Sequence, residues 1–316
     1  MAGHHALITG SSGQIGTNLA LALQEEGWHV VGIDRRANPW VRCVPTLELD
    51  LTDPSQDIAT ALDAGGHPPP DIVVHLAANA KVYELVEHPD RALDNVTMTY
   101  RVIEFARHLS APLIFSSTRE VYGDIRRYET NELDASVSVT ESPYSASKIS
   151  GEAFIYAYAR CYGLRYLVFR LSNVYGRYDD DIERMERVIP LFHKRIRNGN
   201  PITIYGRDKT LDFTYIDDCV AGLRNGILRL LEGTVVNQTF NLARGEGNRL
   251  CDVVDTFQAT LGRAARVTYE PSRIGEVTHY VADISRARDL LGFAPKISLA
   301  EGLRKAAEWY GREPGK

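Results

Sequence analysis

Tyr144 and Lys148 stand four residues apart in the run Tyr144-Ser145-Ala146-Ser147-Lys148. On a helix that spacing puts both side chains on one face. A cation beside a phenol stabilises the tyrosinate and lowers its pKa toward neutrality, which suits a general base. Upstream, Ser116-Ser117-Thr118 ends a strand-like run, so hydroxyl groups are expected at the same sheet edge.

A second constellation opens the chain. Gly10-Ser11-Ser12-Gly13-Gln14-Ile15-Gly16 follows a strand-like run and enters a helix-like one. Glycines allow a tight turn and close backbone approach, and the start of the helix offers N–H groups and a positive dipole end to a pyrophosphate. Asp34 ends the next strand-like run, Val30-Val31-Gly32-Ile33. A carboxylate there accepts bonds from the ribose hydroxyls of adenosine and repels a 2′-phosphate, so the expected cofactor is NAD rather than NADP. Arg35 and Arg36 follow at once and pull the other way. Asp50 and Leu51 are placed beside the adenine. In His75-Leu76-Ala77-Ala78-Asn79, the small residues Ala77 and Ala78 let a cofactor lie against the strand end.

These residues need a sheet to bring them together. Strands are expected at 6–9, 30–34, 72–76, 113–116 and 166–171, and helices at 15–26, 90–108 and 144–162. Strands alternating with helices predict an α/β fold, a Rossmann-type doubly wound parallel sheet with a smaller C-terminal substrate-binding domain. The cofactor domain is expected to span 1–173, with the chain returning to it at about 212–243. Residues 174–211 and 244–316 then form the second domain. The acid-rich stretch 124–141 lacks periodicity and reads as a lid or a solvated surface loop.

Composition narrows the classes. In 316 residues, 36 Lys and Arg face 41 Asp and Glu, a net charge of −5 that supplies no basic surplus for nucleic acid. No apolar run reaches the length of a membrane span, and the N-terminus lacks the pattern of a secretory signal. Cys43, Cys161, Cys219 and Cys251 form no CxxC pair, so neither a disulfide frame nor a metal site is expected, and the expected setting is the cytoplasm.

With these residues in place the chain resembles the extended short-chain dehydrogenase/reductases, in their nucleotide-sugar epimerase/dehydratase branch. The resemblance rests on GSSGQIG at 10–16, Asp34, HLAA at 75–78, Asn95, SSTREVYG at 116–123, YSASK at 144–148, RLSNVYG at 170–176, DFTYIDD at 212–218, FNLA at 240–243 and RIGE at 273–276. It implies tightly held NAD, a nucleotide sugar (a UDP-sugar favoured) in the second domain, and a homodimer joined through two helices per subunit. It also implies roles. Tyr144 takes a proton from the sugar C4 hydroxyl as hydride leaves C4 for NAD. Lys148 holds the nicotinamide ribose, Thr118 bonds the same hydroxyl or the Tyr144 phenol, and Ser116 borders the cofactor. Asn79, Asn173 and Arg273 contact substrate, the last two at the diphosphate. Tyr205 borders the base, and Val188 lines the nucleotide pocket. One position departs from the family pattern: Leu211 stands where an arginine often helps hold phosphate. Lys209 or Arg207 is then the substitute, or Arg273 acts alone.

Three outcomes follow a 4-keto sugar. A 4-epimerase returns hydride to the other face, a 4,6-dehydratase removes water across C5 and C6, and a uronic-acid decarboxylase expels CO2. Dehydratases of the family carry Thr-Asp-Glu where this chain has Thr118-Arg119-Glu120, the Asp as acid for the leaving hydroxyl and the Glu as base at C5. The resemblance thus makes Glu120 a candidate catalytic residue, while a guanidinium in place of the Asp is a poor proton donor. The 4-epimerase therefore leads. Arg119 is read in two ways, as a fixed cation for a C6 carboxylate or as the ion-pair partner of Glu120 or of the acid-rich stretch 124–141. Arg187 and Arg184 lie near the 188–191 run and are read in two ways, as surface partners of Glu183 or Glu186, the leading reading, or with one of them reaching substrate. A simple ketone reductase and a non-catalytic NAD-binding protein are the other classes considered.

Overall fold

The computed structural model describes residues 3–123 and 129–312, apart from the side chain of Arg184. The strands are β1 (His5–Thr9), β2 (His29–Asp34), β3 (Thr46–Glu48), β4 (Ile72–His75), β5 (Leu113–Thr118), β6 (Tyr166–Leu171), β7 (Asn173–Tyr175), β8 (Ile202–Tyr205), β9 (Thr210–Tyr215), β10 (Gln238–Leu242), β11 (Gly247–Arg249) and β12 (Val267–Glu270). The helices are α1 (Gln14–Glu25), α2 (Ile58–Ala64), α3 (Val82–Glu87), α4 (Asp90–His108), α5 (Pro143–Tyr162), α6 (Ile182–Met185), α7 (Val188–Arg197), α8 (Ile216–Leu231), α9 (Leu250–Leu261), α10 (Ser285–Leu291) and α11 (Leu299–Tyr310).

Seven parallel strands form the main sheet in the order β3-β2-β1-β4-β5-β6-β10. The order reverses between β1 and β4, and in such a doubly wound sheet the crevice at that reversal, beyond the carboxyl ends of the strands, receives the ligand. β4, β5 and β6 are buried along their whole length, as strands covered on both faces must be. Alternation within β1 serves two cores. Ala6 and Ile8 pack with Leu19 and Leu23 of α1 and with Leu223 and Ile227 of α8. Leu7 packs on the other face with Val102 and Phe105 of α4 and Ile155 of α5.

Helix α5, which carries Tyr144 and Lys148, has well-marked ends. The Ser142 side chain accepts from the Ser145 N–H, Pro143 fills the first turn, and Gly163 closes the helix at φ 70°. β3, α2 and α3 escape the sequence pattern because they span three, seven and six residues, too few to display a period. The segment expected to return at about 212 does so only in part. β9 pairs with β7 and β11 in a separate three-stranded sheet, and the chain rejoins the main layer as α8 and β10. β9 runs straight into α8, so no turn residue marks the change of sheet. β8 and β12 form a two-stranded parallel sheet, with α7, α9 and α11 packed nearby. Of the acid-rich stretch 124–141, residues 124–128 lie outside the described ones. Its remainder is tied down: the Glu132 carbonyl accepts from Arg170 at 2.8 Å and its carboxylate accepts from the Asn241 N–H at 2.8 Å.

Candidate active site

One cavity of about 630 Å³ lies over the carboxyl ends of β1, β2, β4 and β5, a size suited to a small-molecule or cofactor site. Among the described side chains, every residue singled out from the sequence as catalytic, cofactor-binding or substrate-binding lines it, except Arg207, one of the two offered as a substitute at the phosphate. Arg35, Arg36, Ser117, Asp179, Arg187, Lys209 and Glu276 line it as well.

At one end the glycine run turns from β1 into α1. Gly10 has φ +74°, and a Cβ there would stand 2.7 Å from the Ala77 nitrogen, so only glycine leaves the space beside the β4 strand end open. Gly13 is the N-cap of α1 with no side chain over the helix start. This donor set and shape fit a pyrophosphate. The Asp34 carboxylate accepts from the Ser12 N–H at 3.1 Å. Arg36 is drawn away to Asp181, 3.3 Å distant, and donates to the Ser12 carbonyl at 3.3 Å, whereas Arg35 is exposed. Asp50 accepts from the Thr52 N–H and hydroxyl at 2.8 and 2.7 Å, which shapes the turn carrying Leu51.

At the floor, β5 delivers Ser116, Ser117 and Thr118, and α5 delivers Tyr144 and Lys148. Lys148 Nζ donates to the Ser116 carbonyl at 2.8 Å and lies 4.9 Å from the centre of the Phe115 ring. Burial lowers its pKa to about 8, with Glu152 opposing. The expected lowering of the Tyr144 pKa is not found. Burial and then the charge of Glu120 push the phenol up to about 12, against the Thr118 hydroxyl, Arg187 and Arg119. Desolvation disfavours the phenolate, and Lys148 is turned to a backbone carbonyl. Glu120 is buried and its carboxyl is raised, first by burial, with Arg119 opposing.

Arg119 Nη2 lies 2.9 Å from Glu120 Oε1, the ion-paired one of its two readings. Lys209 Nζ lies 2.7 Å from Glu276 Oε2, while Arg207 sits over the Tyr269 ring. Arg273 stacks 4.1 Å from the centre of the Tyr205 ring. Asn173 donates to the Asp212 carbonyl at 3.1 Å, and the Asn79 N–H donates to Asn95 Oδ1 at 2.7 Å. Arg187 departs from the expected surface pairing. It lies 2.8 Å from the nearly buried Asp179 and also donates to Gln14 Oε1, while Glu186 pairs with Lys81 at 3.2 Å. Its place as the N-cap of α7, facing α1 across the cavity, is a long-range contact that no local pattern announces.

Supporting residues also went unassigned. Asn95 on α4 donates to the Asn79 carbonyl and to Ser147, each at 3.1 Å, and Ser147 donates to the Tyr144 carbonyl at 2.7 Å. Behind the floor, Glu152 takes Ser117 at 2.5 Å and two bonds from Arg170 at 2.9 and 2.6 Å. Among the described residues no helix is long and apolar enough to cross a membrane, and no cluster of His, Cys, Asp and Glu is arranged to hold a metal.

Residues 6–243 match the NAD dependent epimerase/dehydratase family. The chain is 32% identical to a dTDP-glucose 4,6-dehydratase of Salmonella typhimurium, over 76% of this chain and 72% of that one. Its structure resembles that of a UDP-glucose 4-epimerase of Thermotoga maritima solved with UDP-glucose, with a TM-score of 0.87 and 29% identity, covering 97% of this chain and 98% of that one. It also resembles a UDP-glucuronic acid 4-epimerase of Bacillus cereus solved with UDP-glucuronic acid and NAD, with a TM-score of 0.86 and 26% identity, covering 97% and 99%. The Rossmann sheet, the glycine cradle closed by Asp34, and this match over most of the sequence together make the chain a member of the NAD-dependent epimerase/dehydratase family, an NAD-dependent enzyme of that group.

Proposed function

We propose that the enzyme is a nucleotide-sugar 4-epimerase that acts on a UDP-sugar through a transient 4-keto intermediate. The observation that carries this reading is the gathering of Thr118, Tyr144 and Lys148 in the wall of the same cavity that holds the glycine cradle. NAD, when bound, supplies a hydride acceptor and a positive charge at the floor. Tyr144 takes the C4 hydroxyl proton and later returns it to the new alcohol. A phenol pushed up to about 12 keeps its proton by default, so it ionises only when positive charge is near. Thr118 aligns the hydroxyl, and Lys148 holds the nicotinamide ribose. Gly10, Gly13, Gln14, Ile15 and Gly16 cradle the cofactor phosphates and Asp34 its ribose. Arg273 and Asn173 take the sugar-nucleotide diphosphate, and Tyr205 and Val188 its base.

Two observations favour epimerisation over elimination. Arg119 occupies the position next to Thr118 and is bound to Glu120, so no proton donor stands there for a leaving hydroxyl. Sequence matches to 4-epimerases cover 96% of this chain, against 76% for the dehydratase. In this reading residues 1–173 together with α8 and β10 form the cofactor domain, and the rest forms the substrate domain. The exposed faces of α4 and α5 meet in a homodimer. All four cysteines carry free thiols, which suits a reducing, cytoplasmic setting. The test is incubation with UDP-, dTDP- and GDP-sugars, read by mass spectrometry and NMR. The expected product is a C4 epimer of unchanged mass. Loss of water or of CO2 overturns the reading.

A further inference from the structure

Beyond the catalytic trio, four charged side chains line the same cavity wall. Arg119 is bound to Glu120 at 2.9 Å, and Lys209 to Glu276 at 2.7 Å. The two pairs sense one another, because Glu276 and Lys209 both act on the Glu120 carboxyl. Arg119, Glu120 and Lys209 keep only 11%, 7% and 6% of their side-chain surface exposed. Two cations and two anions cancel, so this wall carries no net charge. It also has unused bonding capacity: Arg119 Nη1, a donor, and Glu120 Oε2, an acceptor, are buried without a hydrogen-bond partner. Leaving such groups unpaired is costly, and a ligand that satisfies both is favoured over one that satisfies a single group.

Resting on the epimerase reading above, we infer that the site selects a nucleotide sugar whose C6 group is neutral, a hydroxymethyl rather than a carboxylate. Arg119 and Glu120 follow Thr118 along the cavity wall that Tyr144 also lines, and the Glu120 N–H donates to the Thr118 hydroxyl at 3.2 Å. A sugar with its C4 hydroxyl between Tyr144 and Thr118 therefore lies beside this wall, and the inference sets its C5–C6 arm against it. A hydroxyl both accepts and donates, and it can take Arg119 Nη1–H while giving its own proton to Glu120 Oε2. A carboxylate offers acceptors only. It could take Arg119 Nη1–H but would leave Glu120 Oε2 unsatisfied, with the Glu120 and Glu276 carboxylates close by, in a poorly solvated place where like charges are strongly disfavoured. Several other cavity cations are committed elsewhere: Arg187 to Asp179, Arg36 to Asp181, Lys81 to Glu186, with Lys148 on the Ser116 carbonyl and Arg273 held over Tyr205; Arg35 lies at the Asp34 end of the cavity. The ion pair thus works as an exclusion device, specificity obtained by repulsion.

Calorimetric titration of the NAD-loaded protein with UDP, UDP-glucose and UDP-glucuronic acid tests this. UDP-glucose should bind at least about tenfold more tightly than UDP-glucuronic acid, a gap of about 1.4 kcal/mol. Glu120→Gln releases Arg119 and should narrow or reverse that ratio. Arg119→Gln leaves the Glu120 carboxylate unpaired and should widen it, and this second variant decides the matter if the first does not fold. Equal or tighter binding of UDP-glucuronic acid by the unaltered protein, or a ratio that neither variant moves, overturns the inference while UDP binding leaves the epimerase reading standing. Absence of binding by UDP and by both sugars overturns that reading and this inference with it.

Discussion

Tyr144 is buried, and its phenol is held high by desolvation and by Glu120. Its replacement by Phe removes the proton acceptor without disturbing the cradle at the other end of the cavity. Tyr144→Phe should cut turnover by about 10²–10⁴-fold while NAD stays bound, as checked by single-turnover kinetics and by cofactor extraction. A variant retaining a tenth of the rate would remove Tyr144 from the role of base. Asp34 belongs to the same scale. Its carboxylate takes the Ser12 N–H beside the glycine turn, with Arg36 turned to Asp181, and the proposed function sets it at the adenosine ribose. Cofactor extracted from the unaltered protein should be NAD, and Asp34→Ala should raise NADP affinity relative to NAD. If the unaltered protein releases mainly NADP, Arg35 outweighs the carboxylate. His75 makes a third case. It is fully buried, bonded to Thr9 at 2.7 Å and Thr99 at 3.2 Å, and burial and Lys148 lower its pKa to about 3. Below the ordinary histidine pKa of 6.5 the unfolded chain takes up a proton that the folded chain refuses. Stability should therefore fall as pH drops from 6.5 toward 3, seen as a falling urea midpoint. His75→Gln should flatten that slope, and an unchanged slope would assign it to other groups.

At the scale of elements, the segment between β7 and α7 matters most. It lines the cavity with Asp179, Met185, Glu186 and Arg187 and is fastened by polar contacts. Asp181 holds Arg36 at 3.3 Å, Glu186 holds Lys81 at 3.2 Å, and Arg187 binds Asp179 at 2.8 Å as well as Gln14 on α1. Tyr178 and Glu186 adopt φ of 60° and 46°, in the left-handed region, which costs non-glycine residues about 1–3 kcal/mol each and is sustained here by these contacts. Partly exposed ion pairs weaken with salt. NAD retention on gel filtration should thus fall between low and high salt, and Asp181→Ala should lower it further. Retention that responds to neither would show that the cofactor is held by the cradle alone.

For the molecule as a whole, α4 and α5 lie side by side on one face of the sheet and leave apolar side chains outside. Leu93 is 69% exposed and Tyr162 61%, while Tyr100 and Phe154 stack edge-on at 6.3 Å. In the proposed homodimer the partner's α4 and α5 would cover these side chains. Light scattering coupled to gel filtration should give twice the chain mass, and Tyr100→Glu with Phe154→Glu should give monomers. A monomeric mass for the unaltered protein would exclude the helix-to-helix homodimer.

Short-range spacing determined a large share of this protein. Gly10 to Gly16, Asp34 and the Tyr144–Lys148 pair are local patterns set by turn geometry and helical periodicity, and Gly10, Gly13, Gln14, Ile15, Gly16, Asp34, Tyr144 and Lys148 line the same cavity. The long helices α4 and α5 were legible for the same reason, whereas β3, α2 and α3 were too short to carry a period. Other facts required the chain to be folded. The pairing of Arg187 with Asp179 and Gln14, the joining of Arg119–Glu120 with Lys209–Glu276, and the exchange of sheets between β9 and β10 each depend on residues far apart in sequence. The charge state of the site depends on them too. Spacing predicted a phenol tuned by a neighbouring lysine, but burial is a property of the packed molecule, and it is burial that sets the phenol of Tyr144 high and the ammonium of Lys148 low.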